Sequence, residues 1–117
     1  MRILFLDDDL KRHKAFSMQT IGCNVKYVMT AKECMLALFN DEPYDLVCLD
    51  HDLGGKTFQE EKSNSGTEVA EFIRLKLPQK QYPKKIIVHS WNPQGAQRMM
   101  RELILAGIES KYLPFRA

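Results

Sequence analysis

The sequence lacks any apolar run that approaches the roughly 18 residues needed for a transmembrane helix. Its first residues show no signal-peptide layout, because a strand-like run begins at once and no basic segment precedes a long apolar one. These absences argue against membrane spanning and secretion, so the expected location is the cytoplasm.

Cysteine and net charge are also scarce. The three cysteines, Cys23, Cys34 and Cys48, are odd in number and have no metal-binding spacing, so we expect reduced core residues and neither a disulfide nor a zinc site. The formal net charge of +2 is too small to indicate an extended nucleic-acid groove, although local basic groups can still bind a small anion. The sequence contains no repeat or low-complexity tract.

The 117 residues do contain a regular alternation of strand and helix patterns, which we interpret as one domain spanning residues 1–117. Hydrophobic residues make up 44% and charged residues 27%, which is typical of globular proteins. Short apolar runs predict strands at 3–6, 25–29, 45–49, 86–88 and 111–113. Apolar periodicity and capping residues predict helices at 10–18, 30–39, 66–77 and 92–106.

This alternation predicts a three-layer α/β fold of the flavodoxin type, with a five-stranded parallel sheet of order 2-1-3-4-5. Ligands bind such sheets beyond the carboxyl ends of the strands. Three predicted strands are followed by polar residues, namely Asp7-Asp8-Asp9, Asp50-His51-Asp52 and His89-Ser90-Trp91-Asn92. Because these strands are neighbours in the predicted order, we expect their ends to meet at one crevice.

Aspartates crowded at one edge repel one another unless a cation or a proton lies among them. Carboxylate oxygens suit Mg²⁺ or Mn²⁺, for which Asp8 and Asp50 are the leading ligands and Asp7 and Asp52 are further or outer ligands. The alternative is that these aspartates cap helices and turns, with Asp9 as the N-cap of the first helix.

Two histidines, His51 and His89, follow neighbouring strands. A pair of imidazoles on either side of a phosphate ester can act as general base and general acid, whereas each histidine alone is also explained by a structural hydrogen bond. We expect Ser90 to donate its hydroxyl to a phosphoryl oxygen, and the amides of the helix that starts at Asn92 to face the same anion.

Two basic residues, Arg12 and Lys56, lie in segments adjoining the crevice and are expected to neutralise phosphate charge. Arg98 is expected on the outer surface of the fourth helix instead. The polar segment 53–65 is either a loop that closes over a ligand or a tolerated surface insertion.

The arrangement resembles a receiver domain of two-component signalling, which has acidic residues after its first strand, an aspartate after its third and a hydroxyl residue after its fourth. Those positions are Asp7-Asp8, Asp50 and Ser90 here, but Leu113 stands about where receivers carry a lysine, and the final receiver helix is missing. Three motifs are more similar to the divergent cyclic-phosphate-processing receiver domains, namely LDHDLGG (49–55), SGTEVAEFI (65–73) and VHSWNPQGAQRM (88–99).

The second resemblance implies a phosphoesterase that acts on a cyclic nucleotide or on a 2′,3′-cyclic phosphate end of a nucleic acid. By position it selects Asp7, Asp8, Asp50, His51, Asp52, His89, Ser90, Asn92 and Arg12. Two hypotheses follow. One is a metal-assisted hydrolase with Asp50, His51 and His89 as catalytic residues, and the other is a non-enzymatic module that is phosphorylated on Asp50 or sequesters a phosphorylated ligand. A haloacid-dehalogenase-type phosphatase is a more distant third, and nothing in the pattern specifies a base, a sugar or an oligomeric state.

Overall fold

The computed structural model describes residues 1–116, which contain five strands and four α-helices. In chain order these are β1 (Arg2–Leu6), α1 (Leu10–Gln19), β2 (Asn24–Val28), α2 (Ala31–Asn40), β3 (Leu46–Leu49), α3 (Gly66–Leu75), β4 (Lys85–Val88), α4 (Pro93–Ala106) and β5 (Glu109–Tyr112). All the strands are parallel and lie in the order β2-β1-β3-β4-β5, which confirms the predicted sheet.

Side chains alternate between the two faces of this sheet because the pleat has a period of two residues. One face packs against α2, α3 and α4, and its buried strand residues include Leu6, Leu49 and Val88. The other face packs against α1, where Phe5 stacks on Phe16 and Cys48 belongs to the same buried cluster. The last residue of β1, of β3 and of β4 therefore points toward α2–α4, which determines where the residues after each strand point.

The helix caps in the structure are those that the sequence predicts. The Thr30 hydroxyl accepts a hydrogen bond from the Glu33 amide in a complete capping box, and the Asp9 carboxylate caps α1. Asn92 caps α4, whose first residue is Pro93. The alternative role given to Asp9, a helix cap, is thus the one that the structure shows.

Several predicted boundaries differ from the structure. Helix α3 ends at Leu75, two residues before the predicted end at 77. Leu77 fits the apolar period of the helix because it is buried in the core, although it lies beyond the last helical turn. A short 3-10 helix at Gln79–Gln81 was not predicted, and β5 covers 109–112, not 111–113. Within residues 1–116, no helix combines the length and the hydropathy that crossing a bilayer would require.

Candidate functional site

Three side chains from neighbouring strand ends meet on the α1 side of the sheet. Asp7, Asp50 and His89 each follow a residue that points toward α2–α4, so the alternation turns all three toward α1. The His89 ring stacks on Phe5, with centroids 4.9 Å apart and planes 2° from parallel. One potential ligand atom from each of the three lies within 4.8 Å of the others.

The Asp7 carboxylate is buried and accepts three hydrogen bonds. They come from Arg12 Nε at 2.7 Å, His89 Nε2 at 3.0 Å and the Asp9 amide at 2.9 Å. Burial alone would raise the pKa of Asp7, but the hydrogen bonds from His89, Arg12 and Asp9 outweigh it and lower the pKa. Asp7 therefore stays ionised and fixes both His89 and Arg12.

His89 is 3% exposed, and burial lowers its pKa despite the opposing hydrogen bond to Asp7. The ring is thus neutral near pH 7, and the Asp7 carboxylate assigns the ring proton to Nε2. The other nitrogen, Nδ1, is buried without a hydrogen-bond partner among residues 1–116. A neutral imidazole with an unused acceptor nitrogen is the state expected of a general base.

The surroundings of Asp50 disfavour a negative charge on its carboxyl group. Burial raises its pKa to about 8, the negative charge of Asp7 adds to the rise, and Arg12 opposes it. The Arg12 guanidinium lies between the carboxylates, 3.7 Å from Asp50, 3.6 Å from Asp9 and 4.0 Å from Asp8. A single guanidinium shared among four aspartates leaves the cluster short of positive charge.

These groups border a cleft of about 660 Å³ at the carboxyl edge of the sheet. Its lining residues are Asp8, Asp9, Leu10, Lys11, Arg12, Met29, Asp50, Asp52, Gly55, Lys56, Thr57, His89 and Trp91. Asp8 accepts a hydrogen bond from the Gly55 amide at 2.7 Å, which ties the loop to the cleft wall. Lys56 pairs with Glu61 at 2.9 Å on the exposed loop.

His51 does not reach this cleft, and the prediction that it shares one phosphate with His89 is wrong. It follows Asp50 by one residue, so the alternation turns its ring to the α3 and α4 side. The ring is fully buried, with Nδ1 2.9 Å from Asp52 and Nε2 3.0 Å from the Thr67 hydroxyl. Burial lowers its pKa, although Asp52 opposes the shift. His51 therefore makes structural hydrogen bonds, which was the alternative role considered for it.

Asp52 holds the loop that follows β3. Its carboxylate accepts hydrogen bonds from the Phe58 amide at 2.8 Å, the Gln59 amide at 2.9 Å and Asn92 Nδ2 at 3.0 Å, in addition to its bond with His51. It therefore orients His51, which was one of its two expected roles. Its Oδ1 accepts three of these bonds, whereas Oδ2 accepts only the Phe58 amide, so its role as a metal ligand stays a prediction.

Ser90 and Asn92 are also structural, contrary to their predicted phosphate contacts. Ser90 is 1% exposed, and its hydroxyl accepts a hydrogen bond from the Asn92 amide at 2.9 Å. The Asn92 side chain accepts the Gly95 amide at 3.0 Å and donates to Asp52. His89, one residue before Ser90, takes the position at the end of β4 that faces the cleft.

Some contributors were not predicted from the sequence. Arg98, expected at the outer surface, lies half-buried and donates to the Gln59 carbonyl at 3.1 Å, 3.4 Å from His51 Nε2. Trp91 lines the cleft. Its place two residues beyond His89, just after β4, is the signal that could have identified it.

The donor set fits a hard divalent cation. Asp50 presents a carboxylate whose charge is incompletely neutralised, Asp8 and His89 line the same cleft, and Asp7 lies directly behind. These oxygen-rich ligands suit Mg²⁺ or Mn²⁺ and would relieve the same repulsion that raises the pKa of Asp50.

Comparisons with known proteins identify the family and the fold. Residues 2–104 match the family described as "Cyclic-phosphate processing Receiver domain". A CheY-like response regulator receiver domain from Methylobacillus flagellatus is 18% identical, with a TM-score of 0.70 and coverage of 100% of this chain and 87% of that one. No curated protein matches the sequence.

Another similar structure is the response regulator TrrA from Thermotoga maritima in complex with Mg²⁺-BeF. It is 24% identical, with a TM-score of 0.70 and coverage of 98% and 86%. TrrA bound to the histidine kinase ThkA gives 25% identity, a TM-score of 0.60 and coverage of 98% and 85%. The shared architecture is the receiver fold.

Proposed function

Since this chain belongs to the family of cyclic-phosphate processing receiver domains, we propose that it hydrolyses a cyclic phosphodiester in the cleft beside Asp50. The substrate is a cyclic nucleotide or a nucleic-acid end with a 2′,3′-cyclic phosphate. One observation carries the proposal: Asp7, Asp50 and His89 bring ligand atoms within 4.8 Å of one another beside a cleft that Arg12 and Lys56 also line.

Arg12 and Lys56 supply the charge for binding the phosphate. Arg12 uses Nε for Asp7, whereas its terminal nitrogens lie 3.6–4.0 Å from Asp8, Asp9 and Asp50, too far for good hydrogen bonds. Those nitrogens can therefore turn to a phosphoryl oxygen. The Lys56 pair with Glu61 is exposed and weak, so it can open without much cost.

His89 is the only imidazole lining the cleft among the described residues, so a single base replaces the two-histidine scheme. Asp7 accepts the hydrogen bond from Nε2, and Nδ1, which is buried against the cleft wall, takes a proton from the attacking water once substrate binding turns the ring toward the cleft. The water oxygen forms the new P–O bond, one ring P–O bond breaks, and the proton returns to the leaving oxygen through solvent. The oriented base and the basic groups thus assist one balanced hydrolysis.

Asp8 and Asp50, with Asp7 behind them, would hold Mg²⁺ or Mn²⁺. When bound, such an ion supplies Lewis-acid polarisation of a phosphoryl oxygen. Support for a cytoplasmic setting comes from Cys23, Cys34 and Cys48, which are all free thiols.

The test is hydrolysis of 2′,3′-cyclic and 3′,5′-cyclic nucleotides and of RNA with a 2′,3′-cyclic phosphate end, with and without Mg²⁺ or Mn²⁺, followed by mass spectrometry. We expect His89→Ala to lower the rate by about 100-fold or more, the usual contribution of a general base. His89→Gln, which keeps the polar volume, separates lost chemistry from lost folding. Lys62→Ala, an exposed loop change outside the cleft lining, serves as the control and should leave the rate unchanged.

Undiminished hydrolysis in a folded His89→Ala protein would overturn the role of that residue. The signalling alternative makes a different prediction, since a small phosphodonor with Mg²⁺ would leave a stable adduct on Asp50 in the intact mass. Such an adduct, together with no hydrolysis of any cyclic phosphate, would overturn the proposed enzyme.

A further inference from the structure

Trp91 is the one tryptophan of the sequence, and it is 59% exposed at the wall of the cleft. Large aromatic side chains are usually mostly buried, because leaving an indole in water forfeits much hydrophobic stabilisation. A tryptophan that stays exposed beside a site for an anion is therefore a candidate contact for a ligand.

The indole is held in place from its edge. Its Nε1–H donates to the Phe115 carbonyl at 3.0 Å, and the Phe115 amide donates to the His89 carbonyl at 3.0 Å. The Phe115 ring packs in turn against Phe5 and His89, with centroids 5.9 Å away in both cases. These contacts fix the ring edge, so a ligand that used the ring would lose little side-chain entropy on binding.

The surroundings define what such a ligand contains. The same cleft is lined by Arg12 and Lys56, which suit a phosphate, and its volume of about 660 Å³ lies within the range of pockets for small molecules. Leu10 and Met29 add apolar contacts along the lining. A ligand with an anionic group and a flat aromatic group matches this combination.

We propose that Trp91 stacks on the base of the substrate, so that the enzyme acts on nucleoside cyclic phosphates and not on cyclic phosphates that lack a base. This inference rests on the proposed function and specifies its substrate class. Stacking tolerates any base because every base has a π-face, so the site selects for the presence of a base and not for its identity.

Trp91 also provides the measurement, because its fluorescence is free of any other tryptophan signal. The probes are adenosine 3′-monophosphate, ribose 5-phosphate and inorganic phosphate, which share a phosphate and differ in the base. We expect adenosine 3′-monophosphate to quench the fluorescence, and ribose 5-phosphate and inorganic phosphate to bind without comparable quenching.

Variants measured by calorimetry separate stacking from structure. Trp91→Ala should weaken the binding of adenosine 3′-monophosphate by roughly 5- to 150-fold, which is the usual contribution of one stacked base. The affinity for inorganic phosphate should stay unchanged. Trp91→Phe loses the hydrogen bond to Phe115 but keeps an aromatic face, so it should retain most of the affinity. Phe39→Ala removes an aromatic ring of similar exposure, 57%, outside the cleft and should change nothing.

Equal affinity of Trp91→Ala and the unchanged protein for adenosine 3′-monophosphate would overturn the stacking role. If hydrolysis of cyclic nucleotides persisted with that result, the proposed function would stand and only the role of Trp91 would fall. Binding of none of the three probes, together with no hydrolysis of any cyclic phosphate, would overturn both. A fall in kcat/KM for adenosine 2′,3′-cyclic phosphate in Trp91→Ala, toward the low value that the unchanged protein shows with glycerol 1,2-cyclic phosphate, would support the substrate class.

Discussion

Replacing Gly95 by alanine tests whether His51 is a fixed structural residue. Gly95 lies in the first turn of α4 against the His51 ring, where an added Cβ would come within 2.5 Å of Cγ, 2.6 Å of Nδ1 and 2.8 Å of Cδ2. These distances are far inside van der Waals contact. The ring cannot move aside without breaking its hydrogen bonds to Asp52 and Thr67.

The expected cost follows from two opposing effects. Overpacking a well-filled core costs about 1–3 kcal/mol. Alanine has a higher helix propensity than glycine, which returns up to about 1 kcal/mol. The net loss in the free energy of unfolding for Gly95→Ala is therefore about 1–2 kcal/mol, and the Tm should fall by roughly 4–8 °C for a domain of this size.

Thermal unfolding followed by far-UV circular dichroism measures this change, and a double-mutant cycle with His51→Ala identifies its cause. In the His51→Ala background the new methyl group has space, so Gly95→Ala should no longer lower the Tm. Gln97→Ala, an exposed change in the same helix, should alter the free energy of unfolding by less than about 0.5 kcal/mol. The reasoning is refuted if Gly95→Ala costs nothing, or if it costs as much without the His51 ring.

Two further perturbations test other contacts. Asp52→Asn leaves one acceptor oxygen and aims a donor at backbone amides, so trypsin should cleave the loop 53–65 about tenfold faster, as judged by electrophoresis of timed samples. The Tyr44 hydroxyl and then Lys26 hold the pKa of Asp41 below its usual 3.8, so its contribution to stability is present above about pH 4 and is lost as the pH falls through the lower folded value. Asp41→Asn should therefore lower the Tm near pH 7, and this effect should shrink progressively as the pH falls below about 4.

Each of these two substitutions has a matched control variant. Glu60→Gln changes an exposed carboxylate in the same loop and should leave the cleavage rate as it was. Glu42→Gln changes the exposed acidic neighbour of Asp41 and should not reproduce the pH dependence. Cleavage of Asp52→Asn at the unchanged rate, or a Tm difference for Asp41→Asn that persists in acid, would show that the corresponding contacts are not important.

The architecture was largely predictable because buried elements require characteristic patterns of apolar residues in the sequence. Strands covered on both faces, such as β1 and β3, must be continuously apolar, and helix starts such as Thr30 and Asn92-Pro93 need hydrogen-bond acceptors for their first amides. The gathering of acidic residues and a histidine at one edge followed from the strand order. The conformation of the loop 53–65 was less predictable. Asp52 organises this loop by accepting hydrogen bonds from backbone amides, and such amides are present in almost any sequence.

By itself the sequence determined the order of the strands and the set of polar side chains at their carboxyl edge. Only the tertiary structure decided which of them face the cleft: Asp50 and His89 do, whereas His51 and Ser90 lie in the buried layer beneath α3 and α4. The reason is the two-residue period of the pleat, because a shift of one position moves a side chain to the opposite face. The residue at which each strand ends, and hence the face that each following side chain takes, is determined by packing on both faces of the sheet. It cannot be read from the local sequence.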